Sequence, residues 1–395
     1  MYLTHLSLTN FRNYRSLEMD FPRPLTLLQG PNAQGKTNLL EAIYFLATSR
    51  SSQARVDRQL ISWAVENEPL PFARLVAEVA RADKITKLEL TLAPAETANG
   101  QIRYKKQIRI NGIPRRAFDL IGELKVVLFL PQDIDLVAGS PSGRRRYLDV
   151  ALCQIDREYC RGLSRYNQLL PRRNRVLRQL SERGGDPEQL AFWDEQVADR
   201  AGPIIARRQR AVDHLAIQTC QKHAELTGGH EELDLVYLPS FIPEGGSENR
   251  MSAEEIGAAY LARLRETRNR EIAAGMTLIG PHRDDLGFTI AGHSLGDFGS
   301  RGQQRTASMA LKLAEMNLMI EETGEQPVLL LDDVMSELDG RRRRYLANLL
   351  TEVQQAVITT TDLEDYSPAF LELVALWHAS AGDLLSHEEY NRTVD

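Results

Sequence analysis

Leu3, Leu6 and Leu8 mark one strand-like stretch, and Leu17, Met19 and Phe21 alternate with polar residues in a second. A period near two predicts strands with a single buried face. The next run, Leu25-Thr26-Leu27-Leu28, does not alternate and predicts a short buried strand, after which Leu39, Leu40, Ala42 and Ile43 fall into helical spacing up to about Ala47. Thr48-Ser49-Arg50-Ser51-Ser52 has loop composition. Three alternating stretches near 72–80, 85–92 and 102–110 predict an antiparallel meander in the same lobe, with Asn111-Gly112 as a tight turn. Val126 to Leu130 is again continuously apolar and is closed by Pro131.

From 140 to about 225 the pattern is almost wholly helical, as in Leu148, Ala151, Leu152 and Ile155, or Ile204, Ala211 and Leu215. Pro171, Gly184-Gly185 and Pro203 interrupt it. No strict heptad persists, so an inserted helical arm is expected rather than an extended coiled coil. Leu233 to Leu238 returns to a strand, a Gly/Ser/Asn-rich loop follows, and Ser252 with Glu255 forms a capping box opening a helix to about Ala274. A hairpin is expected after Asp285, then a long helix carrying Ala307, Ala310, Leu311, Ala314 and Leu318, then buried strands at Val328 to Leu331 and from Ala356.

At 395 residues, with 43% hydrophobic and 26% charged residues, the chain has room for two or three domains of ordinary soluble composition. No apolar run approaches the ~18 residues of a membrane span. Met1-Tyr2-Leu3-Thr4-His5-Leu6 enters a strand pattern directly, unlike a signal peptide. Cys153, Cys160 and Cys220 lack metal-ligand spacing and leave one thiol over in any pairing, which fits a cytoplasmic location. A formal net charge of −6 argues against coating nucleic acid through bulk positive charge. Any such contact must be local, at arginine clusters such as Arg144 to Arg146, Arg172-Arg173, Arg207-Arg208 or Arg341 to Arg344.

Gly30-Pro31-Asn32-Ala33-Gln34-Gly35-Lys36-Thr37 matches G-x-x-x-x-G-K-[ST] between the predicted buried strand and helix, the order a phosphate-binding loop requires. The glycines let backbone N–H groups turn toward phosphate, and the helix end, with Asn38 beside it, adds its positive dipole. Lys36 would reach the β- and γ-phosphates of ATP and Thr37 would ligate Mg²⁺. Val328-Leu329-Leu330-Leu331-Asp332-Asp333 has the form of a Walker B strand, which aims Asp332 at the metal and Asp333 at the attacking water. Ser300-Arg301-Gly302-Gln303-Gln304 stands 32 positions before Asp332 at the head of the long helix, offering a hydroxyl and free amides. One P-loop site does not need two such devices, so the second is expected to serve the nucleotide of a neighbouring subunit.

With these motifs the chain resembles the ABC-type ATPases, their SMC-like DNA-repair branch, and most closely the RecF family of bacterial recombination-repair proteins. The resemblance rests on Asn10-Phe11-Arg12-Asn13-Tyr14, the P-loop, Phe129-Leu130-Pro131-Gln132-Asp133, Gly139-Ser140-Pro141 with Arg144-Arg145, Tyr166, Arg172-Arg173-Asn174, and Trp193-Asp194 with Gln196. It continues through Gly280, His282-Arg283-Asp284-Asp285, Ser300 to Thr306, Asp332-Asp333 and Ser336-Glu337-Leu338-Asp339. It covers about residues 1–365, and the last thirty residues add nothing to it.

The resemblance implies an α/β fold: an ABC-type, SMC-like P-loop ATPase head with an antiparallel β subdomain and an inserted α-helical arm. The expected division is 1–139 for the N-terminal part of the head, 140–274 for the arm and 275–395 for the C-terminal part. ATP and Mg²⁺ are the implied cofactors. An ATP-dependent homodimer, weak DNA-stimulated ATP hydrolysis, binding to double-stranded and gapped DNA, and action with RecR and RecO in loading RecA are implied as well. By the motif match, residues Gly30 to Asn38 and Arg12 contact nucleotide, Thr37 and Asp332 the metal, and Asp333 and Gln132 serve catalysis. Ser300, Arg301, Gly302 and Gln303 form the trans signature, and Ser336 and Asp339 belong to the D-loop. Asp333 stands where transporters carry glutamate, one methylene longer, which implies slow turnover. The histidine that many relatives place after the next strand is absent, leaving Thr360 or Thr361 as the γ-phosphate sensor. Arg144 and Arg145, or Arg207 and Arg208, are the candidate DNA contacts. The rival readings are a transporter's nucleotide-binding subunit, disfavoured by the gap of about 300 residues between Lys36 and Asp332, and a DNA-bridging scaffold that binds ATP without hydrolysing it. A GTPase is disfavoured because no Asn-Lys-x-Asp motif occurs.

Overall fold

A strand without a polar face has to be covered on both sides, and the continuously apolar runs all lie in one largely parallel sheet. The computed structural model describes residues 1–22, 24–81, 84–96, 102–241 and 251–394. In chain order the strands are β1 (Tyr2–Phe11), β2 (Tyr14–Asp20), β3 (Leu25–Gln29), β4 (Ala73–Arg81), β5 (Lys84–Glu96), β6 (Ile102–Ile110), β7 (Ile113–Arg115), β8 (Val126–Phe129), β9 (Leu233–Leu238), β10 (Asp285–Ile290), β11 (His293–Ser294), β12 (Val328–Asp332), β13 (Ala356–Thr360), β14 (Val374–Ser380) and β15 (Asp383–Ser386). The apolar runs β3, β8, β12 and β13 belong to a sheet of order β15-β14-β3-β13-β12-β8. Every neighbouring pair from β14 to β8 is parallel. Gln29, Thr360, Asp332 and Phe129 therefore finish at one edge, where a parallel sheet presents its ligand site.

The second sheet, β2-β1-β4-β5-β6-β7, is antiparallel throughout. Leu3 and Leu6 both face inward although three residues apart, because a bulge between Leu3 and His5 adds a residue to β1. Beyond the end of β2, Leu3 needs other hydrogen-bond partners. The buried Gln355 side chain supplies both, accepting from Leu3 N (2.8 Å) and donating to Leu3 O (2.7 Å). The inner faces of both sheets and the helix Lys36–Thr48 share one core that includes Leu6, Phe45, Leu90, Leu128 and Leu330. Asn111 (φ 51°) and Gly112 (φ 77°) close the two-residue hairpin between Ile110 and Ile113, as a primed turn requires.

The chain divides into two compact units, residues 1–133 with 315–395, and residues 134–314. The second runs past 274 because β10 pairs with β9 over all six of its residues. Its long helices are Pro141–Ile155, Arg157–Arg183, Ala191–Thr227 and Ala253–Ala274. At 27 and 37 residues, the middle two are about 40 and 55 Å long. Pro171 and Pro203 do not end them. Both prolines are exposed, so water can satisfy the carbonyls they free. Gly184 (φ 68°) and Gly185 (φ 131°) do end the first. The expected Ser252–Glu255 capping box is present, whereas the expected Gly/Ser/Asn-rich loop at 242–250 lies outside the described residues.

The helices of this second unit are tied by a buried ion cluster. The Arg173 guanidinium donates to Asp194 (2.8 Å), Glu271 (2.7 Å) and the Thr277 hydroxyl (2.7 Å), and no surface of Arg173 or Glu271 is exposed. Burial pushes the Glu271 carboxyl up, and Arg173 opposes that shift. Arg173→Ala leaves the buried Glu271 without a counter-ion and Asp194 with Arg268 alone (3.3 Å), and is expected to cost about 3–5 kcal/mol. Urea unfolding followed by circular dichroism measures it; a loss below about 1 kcal/mol would show that the cluster is solvated.

Candidate functional site

The strand β3 delivers the chain into a loop whose glycines are required by contact. A Cβ on Gly30 would lie 2.5 Å from the Ala379 carbonyl oxygen, and one on Gly35 (φ 108°) 2.4 Å from Asn13 Nδ2. Lys36 Nζ donates to the carbonyls of Gly30 (2.5 Å) and Pro31 (2.8 Å), folding its charge over the loop. From the first turn of the helix Lys36–Thr48, the Thr37 hydroxyl meets both carboxylate oxygens of Asp332 (2.8 and 2.9 Å) at the end of β12. The two halves of the predicted site are thereby joined.

Between them runs β13, whose register places Thr359 beside Asp332. The Thr359 hydroxyl donates to Asp332 Oδ1 (2.9 Å) and accepts from the Asp333 amide (3.0 Å). Asp333 takes a left-handed conformation (φ 50°), rare for a residue with a side chain, and its buried Oδ1 has no hydrogen-bond partner among the described residues. Burial raises its carboxyl above the usual value, while Ser336 and Lys36 pull it down. Burial likewise lowers Lys36, against the pull of Asp333 and Asp332. A hydroxyl and a carboxylate make a hard-oxygen pair suited to Mg²⁺. A glycine loop with its lysine suits phosphate, and an orphaned carboxylate oxygen suits a water. The residues present fit a nucleoside triphosphate with magnesium.

Residues beyond 365 match no motif, yet they hold the loop. The strand β14 lies parallel to β3, and the turn after it brings the Gly382 amide to the Gln34 carbonyl (3.3 Å) and the Ala381 amide to the Gln34 side chain. Asn13 Nδ2 reaches the same Gln34 carbonyl from the β1–β2 turn (3.0 Å). Behind the loop, His378 bridges Gln29 Oε1 (2.9 Å) and His387 Nδ1 (2.9 Å), under the ring of Tyr390. The alternation of β14 and the Ala381-Gly382 turn are visible in the sequence; their seat against Gln34 is not.

Residues 2–380 match the family model for the RecF/RecN/SMC N-terminal domain. A protein of Herpetosiphon aurantiacus named DNA replication and repair protein RecF is 45% identical over 392 residues, 97% of this chain and 99% of that protein. The chain belongs to the RecF family. A solved structure of the recombination mediator protein RecF with ATP, in the RecFOR pathway, superposes with a TM-score of 0.85 at 32% identity, covering 98% of this chain and 97% of that one. An Smc head bound to the C-winged helix domain of ScpA has a TM-score of 0.50 at 16% identity, covers 99% of this chain and all of the other, and is similar in fold alone. The fold is that of a RecF-type, SMC-head-like ABC ATPase.

Other residues singled out by the RecF resemblance have more varied positions. Arg12 gives its guanidinium to Glu41 (2.7 and 3.0 Å) and to the Gln59 carbonyl, rather than to the loop. Asn38 bonds Asn13, and Gln132 is exposed just beyond β8. Thr360, on the opposite face of β13 from Thr359, donates to the Asp362 carbonyl (2.8 Å), and Thr361 accepts from Gln29 through its carbonyl. The β13 residue that reaches Asp332 is Thr359, which only strand register could have revealed. Ser336 donates to the Asp333 carbonyl, and Asp339 caps the helix Gly340–Glu352. Ser300 and Gln303 exchange hydrogen bonds as a capping box at the start of the helix Arg301–Thr323.

The four arginines expected on DNA are engaged inside the second unit. Arg144 is buried in a two-point pair with Asp285 (2.6 and 2.8 Å), and Arg208 is buried against Asp149 (2.7 Å), Tyr159 and the Pro281 carbonyl. Arg145 donates to the Asp284 carbonyl and Arg207 pairs with Asp156 (2.9 Å). A buried guanidinium with its donors committed to acceptors within the unit is not a surface charge, so Arg144 and Arg208 are not phosphate contacts.

Two outcomes follow from this geometry. Asp333 is raised in the folded chain, so its ionised form opposes folding at all pH values above the unfolded carboxyl value of 3.8. Asp333→Asn is expected to melt roughly 2 °C above the parent at pH 7 in calorimetry, a gain that vanishes as pH falls below that value; identical melting at pH 7 counts against burial as the cause. A Cβ at Gly382 would lie 2.6 Å from the Asn13 carbonyl oxygen. Gly382→Val should therefore lift the clasp and weaken ATP binding by roughly tenfold, about 1.4 kcal/mol, in titration calorimetry. Unchanged affinity would mean that the loop holds its shape alone.

Proposed function

We propose that this chain is an ATP-driven switch of recombinational DNA repair, in which two copies close on ATP and DNA and slow hydrolysis releases them. The observation that carries the reading is the Thr37–Asp332 contact, which joins the P-loop and Walker B motifs beside the unpartnered Oδ1 of Asp333. The names of its relatives, a DNA replication and repair protein and a recombination mediator bound to ATP, support the setting.

Lys36 and the amides of the glycine loop would hold the β- and γ-phosphates, and Thr37 and Asp332 would hold Mg²⁺. Bound there, magnesium and nucleotide supply an electrophilic phosphorus. Asp333 holds a water at its free oxygen and accepts its proton; its raised carboxyl makes it a better base than an ordinary aspartate and places the loss of activity at a higher pH as solutions are acidified. Thr359 fixes Asp332 and orients the Asp333 backbone at the same time. Gln132 and Thr360 complete the catalytic set in this reading, with Ser336 and Asp339 as the D-loop. Ser300, with Arg301, Gly302 and Gln303, faces the nucleotide of the second copy, where the helix end and hydroxyl stabilise phosphate charge. The complex acts in the cytoplasm on double-stranded and gapped DNA, with RecR and RecO, toward loading of RecA.

Sedimentation with and without ATP and gapped DNA tests the switch. The parent chain is expected to dimerise with ATP, Lys36→Met to lose ATP binding, and Ser300→Arg to bind ATP as a monomer. A normal ATP-dependent dimer of Ser300→Arg would remove the trans role. Asp333→Asn should trap the dimer with hydrolysis reduced at least about a hundredfold; parental turnover in that variant would remove its role as base.

A further inference from the structure

With Arg144 and Arg208 buried, the cations free to meet phosphate lie elsewhere. We infer that the outer face of β5 and β6 is the surface that meets the backbone of duplex DNA, an inference resting on the DNA-binding reading above. Alternation along β6 turns Tyr104, Lys106 and Ile108 toward the core and Arg103, Lys105, Gln107 and Arg109 outward. Arg103, Lys105 and Arg109 are exposed, as is Lys87 on β5. Among the described residues, none of these four side chains has a hydrogen-bond or ion-pair partner.

The register explains why they stay unpaired. Arg103 stands opposite Ala95 and Lys105 opposite Ala93, so no carboxylate answers either across the ladder. Arg109 stands opposite Glu89, but Glu89 is already held by Arg74 (3.1 Å). On β2, at the far side of the same sheet, Glu18 and Asp20 are exposed and gathered around His5 (2.8 and 2.7 Å). The face thus carries opposite charge at its two sides, and a polyanion is drawn to β5 and β6 and repelled from β2.

The spacing suits a continuous backbone. Successive outward residues on a strand are ~6.7 Å apart, so Arg103 to Arg109 spans ~20 Å. The outward side of β6 presents no aromatic ring, since Tyr104 packs against the core. Without a stacking platform the surface reads phosphate rather than unstacked bases, which favours duplex over single strand.

A competing account is that residues 102–107 of β6 form an open sheet edge, because β7 pairs only with 108–110, and that charge there merely prevents aggregation. Edge protection has no need of a single sign of charge, whereas phosphate binding does. The two accounts separate in a salt titration of binding to a short duplex, followed by fluorescence anisotropy with ATP present. The triple variant Arg103→Ala, Lys105→Ala, Arg109→Ala is expected to lower the slope of log affinity against log salt by about 2.7. Between 50 and 200 mM salt its affinity then falls about fortyfold less than the parent's. The charge-conserving triple, Arg103→Lys, Lys105→Arg, Arg109→Lys, should keep the parental slope, and ATP affinity should be unchanged in both.

An unchanged slope in the alanine triple overturns the assignment while leaving DNA binding by the protein intact. The same slope with new aggregation in size-exclusion chromatography assigns the residues to edge protection, and also overturns it. A parent chain that binds no duplex in ATP at 50 mM salt removes the underlying reading as well.

Discussion

The hydrogen bonds from Thr37 to Asp332 connect residues 295 positions apart, and the two halves of the candidate site meet through them. They can form only if β12 lies two strands from β3, with β13 between them and all three pointing the same way. Parallel neighbours cannot be joined by a tight turn, so the intervening chain has to leave the sheet and return. The meander and the helical unit occupy that excursion. What looks like a small ATPase interrupted by a large insertion is a set of crossovers imposed by the direction of the central strands.

Legibility in the sequence followed the range of the information. The strands β3 and β12 were readable because runs such as Leu329-Leu330-Leu331 fit only a strand covered on both faces. The meeting of Thr37 with Asp332 was legible because both stand at fixed places in their motifs. Thr359 was not, since its role depends on a register between strands; neither were Ala381 and Gly382, whose partner Gln34 is nearly 350 residues away. The bulge after Leu3 was present in the sequence as a spacing of three among strand residues, a departure from period two that only a two-residue-for-one pairing accommodates. Pro171 and Pro203 misled as breakers because a local rule assumes that the freed carbonyl has nowhere to go.

Arginine was the hardest residue to read. Sequence reports its charge but not what answers it, and the acids that answer Arg173 and Arg208 come from other helices or from the segment before β10. A desolvated guanidinium is tolerated only when its donors are matched by acceptors, and in the second unit Asp149, Asp194, Glu271, Asp284 and Asp285 provide them. The acidic net charge of the chain is therefore partly an internal matter. It says little about the sign of any one face.

The position of β3 also orders events in time. Both of its neighbours, β13 and β14, come from the last forty residues of the chain. A ribosome adding about 5–20 residues per second needs roughly 20 to 70 s to pass from Gln29 to Ser380. For most of that interval, until β12 and β13 have been made, the glycine loop exists without the strand beside it or Asp332, and it lacks the Ala381-Gly382 clasp to the end. The antiparallel meander, complete by Arg115, has the means to pair long before. The parts that hold the loop are therefore added in order, Asp332 first, then the strand between it and β3, and the Ala381-Gly382 clasp last.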